Sequence, residues 1–168
     1  MKQRLALLLA HDINLFAYHL PLDAHPSLGN NAQLGLQLGW VAQSWFGEQD
    51  LGCLGQRAEG HFFESAQALA THIELALGRK VVLAGDCNRA IRKIAWCSGG
   101  AQNYFEAAIA AGADAFVTGE ISEPQAHYAR ECGVAYLACG HHAAPAVAAH
   151  VAAQLGLTHE FIDIDNPA

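Results

Sequence analysis

The sequence predicts a layered α/β fold with a mixed, mostly parallel sheet. From Ile91 to the end of the chain, short apolar segments of strand length alternate with segments of helix length, which is the pattern of strands joined by crossover helices. Glycine-containing turns separate the two kinds of segment. The chain has 168 residues, of which 52% are hydrophobic and 15% are charged, and this composition is typical of a well-packed globular protein with one domain.

The first part of the chain contains fewer regular patterns. Leucines at helical spacing predict a helix over residues 1–10, and alternating apolar residues predict a strand over residues 13–18. Asn30 or Asn31 is expected to cap a helix that runs to Leu38 and ends at Gly39. Residues 40–60 contain many glycines and two tryptophans, and we expect loops there with one or two short strands.

The remaining residues predict a regular alternation of elements. Apolar residues spaced by three or four predict a helix over residues 62–77, and Gly78 ends it. The other expected elements are strands over residues 81–84, 94–97, 115–117, 134–139 and 161–164, and helices over residues 104–111, 122–132 and from the turn at Gly140 to Leu155.

Composition and charge narrow the classes of partner. The net charge is -7, and nine lysines and arginines do not supply the basic surface that nucleic acids require. No apolar segment approaches the roughly 18 residues that span a bilayer, and the apolar segment over residues 5–10 is too short for a signal peptide. The five cysteines form no C-x-x-C pair, which favours reduced thiols and a cytoplasmic protein. We expect a small-molecule or metal ligand, with no nucleic acid and no membrane as partner.

Residues 18–31 contain an unusual set of polar side chains. His19, Asp23 and His25 stand between an apolar segment and a predicted helix start. Pro21 predicts an extended segment, rather than one helical turn, between His19 and Asp23. Imidazole and carboxylate groups are metal ligands and acid or base groups, but the same residues are also typical of a polar turn before a helix cap. Both interpretations stay open on this evidence.

Three turns are expected at the carboxyl ends of parallel strands, where ligands bind in open α/β sheets. They are Ser98-Gly99-Gly100, Thr118-Gly119-Glu120 and Gly140-His141-His142. Their glycines allow the backbone to approach a ligand closely, although ordinary tight turns contain glycine for the same steric reason. Glu120 is a base or a carboxylate favoured by the start of the next helix. Of the two adjacent histidines, one is expected to be a ligand or base and the other to cap or pack.

Six segments of the chain form a pattern that occurs in one protein family. They are His19-Leu20-Pro21-Leu22-Asp23-Ala24-His25-Pro26, Leu28-Gly29-Asn30-Asn31, Ile94-Ala95-Trp96-Cys97-Ser98-Gly99-Gly100, Asp114-Ala115-Phe116-Val117-Thr118-Gly119-Glu120, Gly140-His141-His142 and Phe161-Ile162-Asp163-Ile164. In this order and spacing, they resemble the GTP cyclohydrolase 1 type 2 homologues, also called NIF-three-like dinuclear metal-centre proteins. The resemblance runs from Leu5 to the C-terminus.

The resemblance implies a ring-shaped homohexamer with two divalent metal ions per subunit, in a cavity between two similar α/β halves. The resemblance implies zinc, iron, manganese or magnesium as the metal. Asp23 matches a metal-binding carboxylate of the family and His141 matches a metal-binding histidine, with His19 nearby as a further candidate ligand. Glu120 and His142 are the candidate catalytic groups, which would assist proton transfer.

Two departures from the family pattern bear on the metal site. The family's early strand, which carries a His-His pair, lies upstream of the helix that begins this chain, so we expect the N-terminal part to be lacking. Residues 1–60 are then the remnant of the first α/β half and residues 61–168 are the second half, together forming one domain. Pro145 stands where the family has a metal-binding Glu. The expected metal site is therefore incomplete.

Three functions remain as hypotheses. The first is a metal-dependent hydrolase of a nucleotide-like substrate, with Asp23 and His141 as metal ligands. The second is a non-catalytic structural or assembly module that has lost the metal pair. The third is a nucleotide or anion binder that uses the glycine turns alone. Metal content and oligomer size separate these hypotheses.

Overall fold

The computed structural model describes residues 1–17, 19–86, 88–141 and 146–162, and it confirms the α/β fold class. In these residues the helices are α1 (Lys2–Ala10), α2 (His19–Asp23), α3 (Asn30–Gln37), α4 (Ala66–Leu77), α5 (Phe105–Ala110), α6 (Glu123–Cys132) and α7 (Ala146–Leu155). The strands are β1 (Trp40–Phe46), β2 (Gly52–Arg57), β3 (Val82–Ala84), β4 (Ile94–Trp96), β5 (Ala115–Thr118) and β6 (Ala135–Ala138). Short 3-10 turns occupy Glu48–Asp50, Ala58–Gly60 and Gln102–Tyr104.

The strands form one mixed sheet in the order β1-β2-β4-β5-β6-β3. The three strands β4, β5 and β6 are parallel to one another. On one side of them β2 and then β1 pair antiparallel, and on the other side β3 pairs antiparallel with β6. The sheet therefore has the parallel centre that the alternation of strands and helices predicts, and strands from both sides of residue 60 belong to it.

Both faces of the sheet are covered. All residues of β4, β5 and β6 are buried, as expected for parallel strands with helices on each side. Because side chains alternate between the two faces of a strand, each strand contributes to two separate cores. The core on the side of α3 and α4 includes Leu34, Leu38, Leu69, Ile73, Ile94, Trp96, Val117 and Leu137. The core on the side of α5 and α6 includes Phe46, Ala95, Phe105, Ala108, Phe116, Ala129 and Tyr136.

The first helix lies on the surface. None of the residues of α1 is buried, and Leu5, Leu7 and Leu9 are 52%, 61% and 83% exposed. An apolar surface of this kind is typical of an interaction site. Among the helices of the described ranges, none has the length and apolar character needed to cross a membrane.

Three local expectations are wrong. Residues 13–17 form neither a helix nor a strand, because no described strand pairs with them; Tyr18 lies outside the described residues. Gly29 is the residue before the first turn of α3, and neither Asn30 nor Asn31 caps the helix through its side chain. Residues 161 and 162 form no strand, and the rest of the predicted final strand, residues 163 and 164, lies outside the described residues.

Three cysteine thiols lie in or beside the cores. Cys53, Cys97 and Cys139 are buried, whereas Cys132 is exposed; Cys87 lies outside the described residues. Burial raises the pKa of Cys53 to about 11, that of Cys97 to about 12 and that of Cys139 to about 11. Because the thiolate is the nucleophilic form of cysteine, these three thiols are protected from chemical modification both by packing and by their protonation.

The start of α4 gives a test of local stability. Ser65 Oγ accepts a hydrogen bond of 3.1 Å from the Ala68 N–H, which would otherwise lack an intrahelical partner. We predict that Ser65→Ala lowers the free energy of unfolding by about 1 kcal/mol. Urea denaturation measures this change. The control is Thr71→Ala in the same helix, because the Thr71 hydroxyl donates back to the Gln67 carbonyl and is not a cap; a loss as large in the control would contradict the capping explanation.

The thiols give a second test. In the folded protein at pH 8, we predict that iodoacetamide modifies Cys132 at least 10-fold faster than Cys53, Cys97 or Cys139, since the buried thiols are screened and protonated. Peptide mass spectrometry measures the rates. In urea all four thiols should react at similar rates, and equal rates in the folded protein would show that the three thiols are not buried in solution.

Candidate functional site

The three turns expected at the carboxyl ends of the parallel strands lie side by side, bonded to one another through the backbone. The Gly119 N–H donates to the Gly99 carbonyl at 2.8 Å, and the Gly140 N–H donates to the Gly119 carbonyl at 2.9 Å. A Cβ on Gly119 would lie 2.6 Å from the Gly99 oxygen, so only glycine fits between the neighbouring turns. The parallel ladder thus continues past the strands and forms one edge of the site.

The hydroxyl group of Thr118 fixes the first of these turns through two hydrogen bonds. Thr118 is completely buried at the end of β5, and its Oγ1 donates to the Gly99 carbonyl at 3.0 Å. The same oxygen accepts the Ala101 N–H at 3.3 Å. One buried hydroxyl therefore holds both ends of the glycine turn that follows β4.

Glu120 and His141, from neighbouring strand ends, form a close pair. His141 Nε2 lies 2.6 Å from Glu120 Oε1, and both side chains are about half exposed, at 54% and 49%. Gln102 Nε2 donates to the second carboxylate oxygen of Glu120 at 3.4 Å, and the Tyr136 hydroxyl donates to the Glu120 carbonyl at 2.6 Å. Burial, together with the charge of Glu120, raises the pKa of Tyr136, which keeps this hydroxyl protonated. His142, the other candidate from this turn, lies outside the described residues.

The segment from His19 to Asp23 is helical, and the expectation of an extended segment is wrong. These residues form α2, a single helical turn. Pro21 is compatible with it because the first N–H groups of a helix have no intrahelical partner, so the missing proline N–H leaves no bond unmade. The four-residue spacing therefore brings the two side chains to one face, and His19 Nδ1 lies 3.4 Å from Asp23 Oδ2.

Asp23 is held from the other side by α3. Asn30 Nδ2 donates to Asp23 Oδ1 at 2.7 Å. The side chain of Asp23 is 21% exposed, whereas that of His19 is 80% exposed. The carboxylate thus has one short bond to a partly buried amide and one longer contact with an exposed imidazole.

Asn31 connects α3 to the sheet. It is only 2% exposed, and its Nδ2 donates to the Leu51 carbonyl at 2.7 Å while its Oδ1 accepts the Ser98 N–H at 2.6 Å. Its main-chain oxygen accepts the indole N–H of Trp96 at 2.9 Å. These bonds fix α3, and with it Asn30, against the turn that follows β4.

The two groups of polar side chains face one cavity of about 460 Å³. His19 and Asp23 on α2, Asn30 and Asn31 on α3, and His141 on the sheet edge all line it. The other walls come from the turn Ser98-Gly99-Gly100, Cys97 and Tyr104, and from the apolar side chains of Leu20, Leu51 and Ala101. A cavity with apolar walls and a few convergent polar groups is typical of a small-molecule site.

The donor atoms suit a divalent metal in kind but not in number. Imidazole nitrogens and carboxylate oxygens are the usual ligands of zinc, iron and manganese. Within the described ranges, however, no group of three or more His, Cys, Asp or Glu residues is arranged to hold a metal ion. His19 with Asp23, and His141 with Glu120, are two separate pairs. These residues do not complete a dinuclear centre.

Sequence reasoning placed His19, Asp23, Glu120 and His141 among the site candidates, and the structure brings them to one region. It missed the two asparagines, which were interpreted as helix caps. It also missed Leu51, Cys97 and Tyr104, which line the cavity. The sequence did contain one signal for these asparagines, the adjacent pair Asn30-Asn31 directly after Gly29. A helix has one N-cap position, so at least one of the two asparagines must have another role.

The sequence of this chain is similar to those of known proteins over nearly its whole length. The sequence pattern of Duf34/NIF3 (NGG1p interacting factor 3) matches residues 1–167. A GTP cyclohydrolase 1 type 2 homolog from Neisseria meningitidis serogroup B is 49% identical over 172 residues, which cover 99% of this chain and 68% of the relative. A homolog of the same name from Pseudomonas aeruginosa is 46% identical over 177 residues, covering 100% of this chain and 69% of the relative.

The fold comparison agrees with the sequence comparison. A solved structure of protein ybgI, described as being of unknown function, superposes with a TM-score of 0.86 at 42% identity. The superposition covers 98% of this chain and 67% of that chain. The match over nearly the whole chain, in sequence and in fold, shows that this chain belongs to the Duf34/NIF3 family.

Proposed function

We propose that this protein binds a divalent metal ion in the cavity between α2 and the sheet edge, and that it is a metal-dependent hydrolase of a small nucleotide-like molecule. The observation that supports this proposal is the convergence of Asp23, His19 and His141 on one cavity of about 460 Å³. A volume of this size accommodates a small organic molecule together with a hydrated cation.

The charge of the cavity favours a cation. Its described lining contains the carboxylate of Asp23 and the imidazoles of His19 and His141, but no lysine or arginine. A free phosphate would therefore meet a carboxylate without a compensating positive side chain, which does not favour the anion binder that relies on glycine turns alone. A nucleotide-like substrate would bind together with the metal. The relatives' name, which refers to a GTP cyclohydrolase, is in keeping with such a substrate.

The described residues would hold the metal only in part. Asp23, with His19 or His141, would supply two of the ligands, and water would fill the remaining positions. When bound, such an ion polarises the substrate and lowers the pKa of bound water. The chain's own residues have distinct tasks: Glu120 orients His141 through its 2.6 Å contact, and Leu20 and Leu51 contribute apolar walls to the cavity.

The second candidate function is a non-catalytic binding or assembly module. It is favoured by the absence, in the described parts of the chain, of any three-residue group that could hold a metal. Such a module would keep the fold and the cavity without turnover. Metal binding together with a hydrolysis assay separates the two candidates.

The central prediction concerns Asp23. We expect the purified protein to bind Mn²⁺, and Asp23→Asn to weaken this binding by at least about 10-fold, because loss of a ligand costs no less than loss of an outer hydrogen-bond partner. Isothermal titration calorimetry measures the affinity. The control is Asp12→Asn, since Asp12 is exposed and lies outside the cavity.

Each outcome of this experiment has a definite meaning. Absence of Mn²⁺ and Zn²⁺ binding by the wild-type protein would reject the metal-dependent hydrolase. Metal binding with no EDTA-sensitive hydrolysis of nucleoside triphosphates or cyclic nucleotides would favour the non-catalytic module. Equal loss of affinity in Asp12→Asn would show that the effect is not local to Asp23.

The proposed assembly is a homohexamer in the cytoplasm. The exposed leucines of α1 support an assembly, because monomeric proteins rarely leave a helix with several exposed leucines uncovered. We predict that sedimentation equilibrium gives the mass of an oligomer, and that replacing Leu5 and Leu9 by Ser shifts it towards the monomer. A monomeric wild-type protein would contradict this proposal without bearing on the metal site.

A further inference from the structure

A second pocket lies between the 3-10 turn that precedes α5 and the first half of α6, and its volume is about 240 Å³. Most of the side chains that line it are polar, and the lining residues are Gln102, Asn103, Phe105, Glu106, Gln125 and Tyr128. The described linings of this pocket and of the cavity beside α2 have no residue in common. Ligand binding in this pocket is therefore independent of the proposed metal binding.

Two amide oxygens of this pocket are buried without a hydrogen-bond donor from the described part of the chain. They are Gln102 Oε1 and Gln125 Oε1. Buried side-chain oxygens in proteins usually accept a hydrogen bond, because an acceptor that has lost water and gained no donor destabilises the folded state. The pocket therefore offers two acceptors to a bound molecule that carries N–H groups.

The orientation of the Gln102 amide is set by Glu120. Gln102 Nε2 donates to Glu120 Oε2 at 3.4 Å, and the other carboxylate oxygen of Glu120 is held at 2.6 Å from His141 Nε2. An ionised carboxylate only accepts hydrogen bonds, so the NH₂ group of Gln102 must face it and the carbonyl oxygen lies on the other side of the amide. The acceptor character of Gln102 Oε1 is therefore a fixed feature of the pocket.

The charge of the pocket favours an organic cation. Its described lining contains the carboxylate of Glu106 and no lysine, arginine or histidine. The carboxylate of Glu120 contacts Gln102 from outside the lining. Tyr128, which is 42% exposed, supplies an aromatic ring, and the faces of aromatic rings attract cations. A neutral donor would satisfy the amide oxygens but would not balance the charge of Glu106.

We propose that this pocket binds the guanidinium group of a small molecule. A guanidinium group carries five N–H donors in one plane, so it suits a site whose acceptors come from Gln102, Gln125 and Glu106. It is also more weakly hydrated than an ammonium group and stacks on aromatic rings. The volume of about 240 Å³ lies below the roughly 300 Å³ at which sites for drug-sized molecules begin, which suits a compact head group.

Saturation-transfer difference NMR in the presence of EDTA tests the proposal with three probes, each observed through its methyl signal. Methylguanidine has both the charge and the N–H donors, N-methylurea has donors without the charge, and tetramethylammonium has the charge without donors. We expect methylguanidine to bind saturably with a Kd of about 1 mM, which is within reach of a ligand of this size. The other two probes should bind at least about 10-fold more weakly, because each lacks one of the two features that the pocket recognises.

Two variants of Gln125 assign the binding to this pocket. Gln125→Leu removes one acceptor at similar volume and should weaken methylguanidine binding by about 10-fold. Gln125→Glu keeps the shape and adds a negative charge, so it should strengthen methylguanidine binding by about 3-fold or more without strengthening that of N-methylurea. A carboxylate is favourable in the first turn of α6, so Gln125→Glu tests the proposal even if Gln125→Leu does not fold.

Glu106 and Glu131 form a matched pair of charge variants. Both side chains are exposed, but only Glu106 lines the pocket, whereas Glu131 lies in the last turn of α6 outside it. Glu106→Gln should weaken methylguanidine binding by about 3-fold, as expected for an exposed charge partner. Glu131→Gln should bind methylguanidine as the wild-type protein does.

Three results would overturn the proposal. Absence of saturable methylguanidine binding would show that only water fills the pocket. Equal affinity for tetramethylammonium, or an equal loss in Glu131→Gln, would show that the negative charge of the protein attracts any cation. Unchanged binding by both variants of Gln125 would place the probe elsewhere. Because EDTA is present throughout, a failure here leaves the proposed metal site and hydrolase unaffected.

Discussion

The buried amide of Asn31 is the interaction on which the geometry of the site depends. It bonds to the Leu51 carbonyl before β2 and to the Ser98 N–H after β4, and the Trp96 indole bonds to its main-chain oxygen. A buried amide that loses its partners costs about 1–3 kcal/mol, which favours the arrangement of these elements that satisfies it. Asn31 thus sets the distance between α3 and the sheet edge, and the cavity occupies the space between them.

The other wall of the cavity depends on the sheet itself. The backbone bonds from Gly119 to Gly99 and from Gly140 to Gly119 extend the parallel ladder beyond the strands, and Thr118 fixes the first turn through its hydroxyl. These turns rest on three strands that are buried on both faces. A rigid edge of this kind is well suited to hold His141, whereas Asp23 reaches the same cavity from a short helix outside the sheet.

Sequence reasoning predicted the sheet edge better than it predicted α2. The turns after β4, β5 and β6 follow short buried strands, and the rule that carboxyl ends of parallel strands share one edge was sufficient to place Glu120 and His141 at the same edge. Pro21 gave a misleading signal, because its effect depends on its place in the helix: in the first turn its missing N–H costs nothing. Asn31 was also misinterpreted, since a cap and a buried core amide look alike in sequence.

By itself, the sequence determined the fold class, the family and the edge of the sheet where the candidate site lies. These follow from local patterns: hydrophobic periodicity, glycine turns and the spacing of short motifs. Only the tertiary structure decided that Asp23 is held by Asn30, that Asn31 is a core residue and that Glu120 is paired with His141. The physical reason is that these roles depend on side-chain hydrogen bonds between different elements, which local sequence patterns do not predict; the bonds of Asn31 join residues 20 and 67 positions apart.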